Sequence, residues 1–236
     1  MLIDQIVKET MLKEGFNEKQ LVVTGHPYYD DLMQLRQEFT LDDLLKVRSD
    51  LDIGEKDYLL TFLSQGWSNS IKANPEEDNG YSELTVLSDL EEALEILGIK
   101  DLCLLVKIHP REDTEVTKTA LKGKLKKVIF NKGYNTRSTI LASDLVSGMF
   151  TNGLIESVYL DKDTISLQPE LSKEDRLITK RFGLTIPVYK KEDILPTLRR
   201  VIYDQDFKKE LKGRRSKLNL DGKATERAVN FIYGLL

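Results

Sequence analysis

The stretch that most constrains the fold is residues 144–168, which predicts a strand, a helix and a second strand in quick succession. The apolar pair Leu145-Val146 leads into a tight turn at Gly148. Apolar residues then recur at helical spacing, and residues 164–167 have the β-branched content of a strand. So compact a strand–helix–strand unit requires parallel strands joined by a right-handed crossover. The chain is therefore predicted to be an α/β protein.

The turn before that helix has the features of an anion-binding site. Gly148 and Gly153 flank Thr151 and Asn152, small polar residues that can cap a helix. Free backbone N–H groups and the helix dipole at such a start attract a phosphate. Glu156 lies one turn further in, close enough to reach a sugar hydroxyl beside that phosphate. Alternatively, Thr151 or Asn152 only caps the helix and Glu156 is solvated, and this stretch leaves both interpretations open.

These residues resemble the C-terminal nucleotide-sugar-binding half of GT-B enzymes, in particular the non-hydrolysing UDP-N-acetylglucosamine 2-epimerases and related surface-polysaccharide glycosyltransferases. The resemblance is carried by Asp-Leu-Val-Ser-Gly at 144–148, Thr151, Glu156 and Ile-Ser-Leu-Gln-Pro at 165–169. It implies that the diphosphate binds at the helix start and that Glu156 holds the ribose. The epimerases usually have a Glu-Glu pair where this chain has Glu156 followed by Ser157, so the resemblance favours a GT-B half over an epimerase.

Two further segments resemble the same family. Val-Val-Thr-Gly-His-Pro at 22–27 is similar to the turn that leads into the second GT-B domain, with His26 where Asn is usual. Lys-Ile-His-Pro-Arg-Glu at 107–112 is similar to a motif whose histidine faces the cleft, which implies that His109 lies near the sugar or phosphate. Arg111 would pair with phosphate, or equally with neighbouring carboxylates in solvent. A plain strand-to-helix turn at His26 and a strand-end histidine bonded to a backbone carbonyl remain alternatives.

The other candidate site residues also follow predicted strands. The resemblance implies that Ser64, Gln65 and Gly66 form a small-residue loop against the diphosphate or sugar. It also implies that Tyr134 stacks on the base, although a loop tyrosine can equally be cover, and that Gln168 touches the diphosphate or donor sugar. Residues 70–81 are polar and rich in turn formers, so they predict a mobile loop.

The predicted fold is a Rossmann-like, doubly wound α/β domain, with a mainly parallel sheet of about six strands flanked by helices. Residues 1–19 are predicted to be an N-terminal helix, which could be the end of a missing N-terminal half. Residues 20–236 are predicted to form the nucleotide-sugar-binding domain with its C-terminal helices. Within them we expect strands at 21–24, 57–64, 102–108, 126–130 and 183–189, and helices that include 115–124 and 207–218. Pro187 indicates an edge strand, and Asp221 is expected to cap the last helix.

Composition excludes several classes of protein. A net charge of −4 and a pI near 5.5 give no electrostatic footprint for nucleic acid. The single cysteine, Cys103, excludes an internal disulfide scaffold and is expected in the core. No Cys/His cluster that could hold zinc is present, so we predict no metal site. A phosphate-binding loop of the Walker type and a Gly-x-Ser-x-Gly motif are also absent from the sequence.

The sequence also bears on the location of the protein. No apolar stretch approaches the ~20 residues of a membrane span, and no signal-peptide pattern is present, so the expected location is cytoplasmic.

Together these features predict the nucleotide-sugar-binding half of a glycosyltransferase or sugar-nucleotide 2-epimerase of cell-surface polysaccharide biosynthesis. The expected ligand is a UDP- or CDP-linked sugar, with no further cofactor. The acceptor site and any catalytic base would lie on a missing N-terminal domain or second subunit, so the chain alone is expected to be inactive. The alternative is a non-catalytic α/β module that binds a nucleotide or a partner protein.

Overall fold

The computed structural model describes residues 1–215, 218 and 220–234, and within them six strands form one parallel sheet. The strands are β1 Tyr58–Leu63, β2 Leu102–Lys107, β3 Val128–Asn131, β4 Leu145–Gly148, β5 Thr164–Leu167 and β6 Thr185–Val188. Their order across the sheet is β3-β2-β1-β4-β5-β6, and every neighbouring pair is parallel. The predicted Rossmann-like α/β fold is thereby confirmed, and β6, which carries Pro187, is an edge strand as expected.

The centre of the sheet is where the direction of the chain reverses. β1 and β4 are neighbours, with Leu60 opposite Leu145 and Leu63 opposite Gly148. From β1 the chain continues outward through β2 and β3, and from β4 it continues outward in the other direction through β5 and β6. Because the two crossovers leave in opposite directions, a crevice forms beyond the carboxyl ends of β1 and β4, which is where α/β folds of this kind bind ligands.

Helices cover both faces of the sheet. They are α1 Gln5–Lys13, α2 Asp30–Glu38, α3 Leu41–Asp50, α4 Trp67–Ala73, α5 Glu83–Leu97, α6 Thr114–Lys118, α7 Thr136–Ala142, α8 Asn152–Tyr159, α9 Ile194–Tyr203, α10 Gln205–Arg215 and α11 Ala224–Tyr233. None of these described helices is long and apolar enough to cross a lipid bilayer. Local signals fix several boundaries: Thr40 and Ser82 form capping boxes at the starts of α3 and α5, and Gly98 ends α5 at a φ of 63°.

The core is divided by the sheet because successive strand residues point to opposite faces. Leu60 and Phe62 of β1 pack with residues of α5 and α9, whereas Leu63 packs with α2, α7 and α8 on the other side. Cys103 of β2 is fully buried, as expected, and burial raises the pKa of its thiol to about 11. A sheet covered on both faces leaves its edges and strand ends as the places where a ligand can reach the backbone.

Some predicted elements differ from the structure. The strand expected at 21–24 is only an isolated bridge, in which Val23 pairs with Leu2. The helix expected over 115–124 ends at Lys118, because the buried carboxylate of Glu91 accepts hydrogen bonds from the backbone N–H groups of Lys122 and Lys124 and holds that segment as a turn. The segment 70–81 begins as part of α4 rather than as a loop.

The C-terminal helix is also capped differently from the prediction. Asp30, which begins α2, accepts hydrogen bonds from the backbone N–H groups of Ala224 at 3.0 Å and Thr225 at 2.7 Å. Asp221 instead accepts from Lys223 N and pairs with Arg227. α10 ends at Arg215, and positions 216 and 217 of its predicted extent lie outside the described residues. Positions 219, 235 and 236 of the predicted domain also lie outside them.

Candidate functional site

A cleft of about 590 Å³ opens at the carboxyl edge of the sheet, where the turns that follow β1, β2, β3 and β4 meet. It therefore lies at the reversal point between β1 and β4, the position that the topology itself favours for a ligand. Its lining residues are Leu63, Ser64, Lys107, Ile108, His109, Pro110, Lys132, Tyr134, Asn135, Thr136, Arg137, Thr151, Gly153 and Glu156.

The structure brings six of the sequence-predicted residues together in this cleft. They come from four separate segments of the chain, each of which follows a strand of the sheet. They are Ser64, His109, Tyr134, Thr151, Gly153 and Glu156. No bound molecule tests their roles, so their assignment to a ligand remains a prediction.

The start of α8 forms one wall of the cleft. Thr151 is its N-cap, and its hydroxyl accepts a hydrogen bond from the Gly153 N–H at 3.2 Å. A Cβ at Gly153 would lie 2.7 Å from Leu63 Cδ1, so glycine lets the start of the helix approach the end of β1. The positive end of the helix dipole therefore faces the cleft beside the end of the central strand. Asn135, the N-cap of α7, also lines the cleft.

The cleft is cationic. Lys107, Lys132 and Arg137 line it, and Glu156 is the one carboxylate among its described lining residues. Within the described part of the chain, neither lysine forms a salt bridge. Lys107 is only 7% exposed, and its ammonium donates to the carbonyl oxygen of Lys132 at 3.0 Å. Burial lowers the pKa of Lys107. A charge buried without a counter-ion is costly, so the cleft is suited to an anion.

His109 presents a donor to the cleft. Its Nδ1 accepts a hydrogen bond from the backbone N–H of Arg111 at 3.2 Å, so the neutral ring carries its proton on Nε2. Burial lowers the pKa of His109, and the positive charges of Arg111 and Lys132 lower it further. At neutral pH the ring is therefore a neutral Nε2–H donor, and an anion in the cleft would favour its protonation.

Glu112 links the turns that carry these groups. Its carboxylate is 3% exposed and accepts hydrogen bonds from the Ser64 hydroxyl at 2.5 Å and the His109 backbone N–H at 2.6 Å. Burial raises the pKa of Glu112, although these hydrogen bonds oppose the shift. The carboxylate thereby fixes the ends of β1 and β2 relative to each other.

Several predicted residues lie in the same turns without lining the cleft: Gln65, Gly66, Arg111, Gly148 and Asn152. Gln65 accepts a hydrogen bond from the Phe150 N–H at 2.9 Å and so joins the turns after β1 and β4. Gly66 has a φ of 62° and begins α4. Arg111 is exposed, and its carbonyl accepts from Asn69. The structure gives these residues supporting positions around the cleft.

His26 and Gln168 lie away from the cleft. His26 is exposed and lines a separate cavity of about 310 Å³ with Tyr29 and Asp30. Gln168 is 1% exposed, donates to the Ser166 hydroxyl and accepts from the Tyr81 hydroxyl at 2.7 Å. Its amide is thus used inside the protein, and a direct contact with a ligand would require these hydrogen bonds to break.

The sequence did not single out three charged residues of the cleft, Lys107, Lys132 and Arg137. Arg137 forms a salt bridge with Glu156, between Nε and Oε2 at 3.1 Å, and the hydroxyl of Tyr28 joins the same cluster. Lys107 belongs to the motif that contains His109, and this offered a signal. Arg137 follows the N-cap Asn135 closely, but nothing local shows that it meets a carboxylate 19 positions later.

The fold and the position of the cleft define a Rossmann-like α/β architecture with an open crevice at its reversal point. A UDP-GlcNAc 2-epimerase from Neisseria meningitidis, bound to UDP-GlcNAc, matches 99% of this chain over 60% of its own, at 15% identity and a TM-score of 0.70. MnaA from S. aureus, solved with UDP, matches 100% of this chain over 59% of its own, at 18% identity and 0.66. The wall teichoic acid polymerase TagF matches 98% over 56%, at 15% identity and 0.57.

These similarities, at such low identity, establish the fold: this chain has the Rossmann-like α/β fold of the C-terminal half of a GT-B enzyme. It spans about 60% of the length of the solved structures it matches. No protein-family model matches the sequence, and no curated protein matches it.

Proposed function

We propose that this chain binds a nucleoside-diphosphate sugar and is the nucleotide-binding half of a GT-B glycosyltransferase or sugar-nucleotide 2-epimerase of cell-surface polysaccharide biosynthesis. The observation that carries the proposal is the cationic cleft at the reversal point of the sheet. Among the residues that the structure describes, Arg137 is paired with the Glu156 carboxylate, whereas the ammonium groups of Lys107 and Lys132 meet carbonyl oxygens and form no salt bridge, so their charge remains for an anion.

The diphosphate is assigned to the wall formed by Thr151 and Gly153. There the start of α8 offers backbone N–H groups and a positive dipole end. Lys107 and His109, at and just beyond the end of β2, line the same cleft and supply charge and a further donor. Several weak donors of this kind suit a ligand whose charge is spread over two phosphates. A single strong counter-ion would suit such a ligand less well.

The sugar part of the nucleotide is assigned to Glu156. A carboxylate is an acceptor only, and hydroxyl groups are its natural partners in a cleft otherwise lined by cations. The similar folds include structures with UDP-GlcNAc, UDP and CDPG. The ligands of these structures support a nucleotide, linked to a sugar or a related group, as the class to test first.

Catalysis is assigned to the combination of this chain with a second domain or subunit. The matched structures are longer than this chain. Residues 1–19 are proposed as an N-terminal helix that is the end of a missing N-terminal half, and residues 20–236 as the nucleotide-sugar-binding domain with its C-terminal helices. In this role the chain holds the departing diphosphate. Helix-terminus dipoles and cations stabilise its charge, and no covalent nucleophile is required.

The test is calorimetry and thermal unfolding with UDP, CDP, GDP and UDP-N-acetylglucosamine. A ligand at 100 times its dissociation constant should stabilise the protein by roughly 2.7 kcal/mol. Glu156→Ala should weaken binding of the preferred nucleotide, whereas Glu192→Ala, an exposed residue beyond β6, should not.

Binding of one diphosphate that is weakened by Glu156→Ala would support the site and identify the base. Absence of any response by the wild type would contradict nucleotide binding by this chain as it stands. Binding with no turnover, even when candidate partner chains are supplied, would instead favour a non-catalytic binding module.

A further inference from the structure

The carboxylate of Glu156 is held by two residues from distant parts of the chain. Tyr28 donates its hydroxyl hydrogen to Glu156 Oε1 at 2.5 Å and accepts a hydrogen bond from Arg137 Nη2 at 2.6 Å. Arg137 Nε donates a hydrogen bond to the other carboxylate oxygen, Glu156 Oε2, at 3.1 Å. Each carboxylate oxygen therefore has one protein donor, and the orientation of the carboxylate is fixed.

The turn that carries Tyr28 is fastened to the helix that carries Glu156. The ring of Tyr29 stacks on that of Tyr159 in α8, with centroids 3.9 Å apart. The guanidinium of Arg137 lies 5.1 Å from the centroid of the Tyr28 ring. These contacts place the Tyr28 hydroxyl beside Glu156 even though 128 positions separate the two residues.

The cluster leaves part of the carboxylate free. An ionised carboxylate has about four lone-pair positions, and Tyr28 and Arg137 use one on each oxygen. Because Glu156 lines the cleft, the free position on each oxygen is available to a ligand there. Two acceptor positions side by side match the two adjacent hydroxyl groups of a ribose. The hydrogen bond to Glu156 raises the pKa of Tyr28, so its hydroxyl stays a donor.

We infer that Tyr28 is a positioning residue for recognition of a sugar diol by Glu156. It is not among the lining residues of the cleft, so it acts through the carboxylate and not by touching the ligand. The inference rests on the proposed function, because it requires a nucleotide whose ribose reaches Glu156.

Calorimetry with three probes tests it: UDP, 2′-deoxy-UDP and inorganic pyrophosphate, each with wild type, Tyr28→Phe and Tyr29→Phe. Tyr28→Phe keeps the ring and removes only the hydroxyl. It should weaken the binding of UDP about five- to tenfold, an effect of the size of one ordinary hydrogen bond, because Tyr28 acts on the ligand only through Glu156. Pyrophosphate has no ribose, so its affinity should stay within about twofold. The wild type should prefer UDP to 2′-deoxy-UDP, and this preference should be smaller in Tyr28→Phe.

Tyr29→Phe is the matched control in the same turn, and it should leave all three affinities unchanged. Equal weakening of UDP and pyrophosphate by Tyr28→Phe would overturn the inference, because it would mean a general loss of structure. Unchanged or tighter UDP binding by Tyr28→Phe would overturn the inference too. The Tyr28 hydroxyl would then have no effect on binding, or would compete with the ribose for Glu156. Failure of the wild type to bind any of UDP, CDP and GDP would instead overturn the proposed function, so the two failures are distinguishable.

Discussion

The carboxylate of Glu112 accepts a hydrogen bond from the hydroxyl of Ser64 at 2.5 Å, across the gap between the ends of β1 and β2. The same carboxylate accepts from the His109 N–H. Two residues that line the cleft are thus positioned by one residue buried behind them. The shape of the cleft therefore depends on a side chain that does not line it.

Replacing Glu112 by Gln should destabilise the protein by about 1–2 kcal/mol, because the neutral amide offers one acceptor oxygen in place of two and the charge assistance of both hydrogen bonds, from Ser64 and from the His109 N–H, is lost. Chemical denaturation measures this change. UDP affinity should fall with it, since Ser64 and His109 lose their common anchor. Glu115→Gln, at an exposed residue of the following helix, is the control and should change neither quantity. Unaltered stability of Glu112→Gln would show that the bridge is not needed.

Gly66 and Gly98 provide a matched pair for the packing around Glu112. Both have a φ near 60°, so alanine at either site is strained by about 1 kcal/mol. A Cβ at Gly66 would also lie 2.9 Å from Glu112 Cγ, whereas one at Gly98 meets nothing within 4 Å. Gly66→Ala should therefore cost about 1 kcal/mol more than Gly98→Ala in denaturant melts. Equal costs would mean that Glu112 moves aside freely.

Lys107→Met should increase stability and weaken nucleotide binding. Methionine keeps the length of the side chain and removes a buried charge without a counter-ion, so the free energy of unfolding should rise by about 1 kcal/mol. UDP should bind about tenfold more weakly, because a charge-assisted hydrogen bond is lost. Thermal unfolding with and without UDP measures both. Normal UDP binding by the variant would contradict the assignment of Lys107 to the anion. A loss of stability would show that the hydrogen bonds to Asn131 and to the Lys132 carbonyl compensate the buried charge.

The lowered pKa of Lys107 also predicts a pH dependence of stability. Below its ordinary value of 10.5 the unfolded chain binds more protons at this position than the folded chain. Stability contributed by this group therefore rises as the pH increases from the lowered folded pKa toward 10.5. The difference in unfolding free energy between wild type and Lys107→Met should narrow over that window.

Nucleotide binding should strengthen as the pH falls through the titration of His109. In the free protein its pKa is lowered from 6.5, so the neutral ring predominates at neutral pH. A bound diphosphate favours the imidazolium, although protonation of Nδ1 breaks the hydrogen bond that it accepts from the Arg111 N–H. Binding therefore takes up a proton, and the contribution of His109 to affinity rises at acid pH. The gain that depends on His109 should appear between about pH 7.5 and about pH 5.5, as a difference in affinity between the wild type and His109→Asn.

His109→Asn should remove that gain, and His26→Asn should keep it, because His26 lies in the separate cavity. The phosphate groups of UDP titrate equally with all three proteins, so the differences between variants isolate the histidines. Calorimetric titrations at the two pH values measure them. If the pH dependence disappears in His26→Asn instead, the diphosphate binds near His26, and its assignment to the cleft beside His109 is wrong.

The sequence was sufficient for the parallel sheet and for much of the cleft. Short apolar strands that alternate with amphipathic helices require a parallel α/β sheet, and the carboxyl ends of its strands share one edge. Residues that directly follow strands, such as Ser64, His109 and Thr151, are therefore brought together by topology alone. Helix starts at Thr40, Ser82 and Thr151 follow from local capping chemistry in the same way.

The tertiary structure decided which side chains are free for a ligand. Gln168 follows a strand, yet its amide is taken up by Tyr81 and Ser166 in the interior. Glu156 faces the cleft with Arg137 and Tyr28 already bound to it, and Tyr28 lies 128 positions away. Hydrogen bonds between such distant residues depend on how whole elements pack, and no local pattern of residues encodes them. The sequence therefore determined where a site forms, and packing determined which groups are available in it.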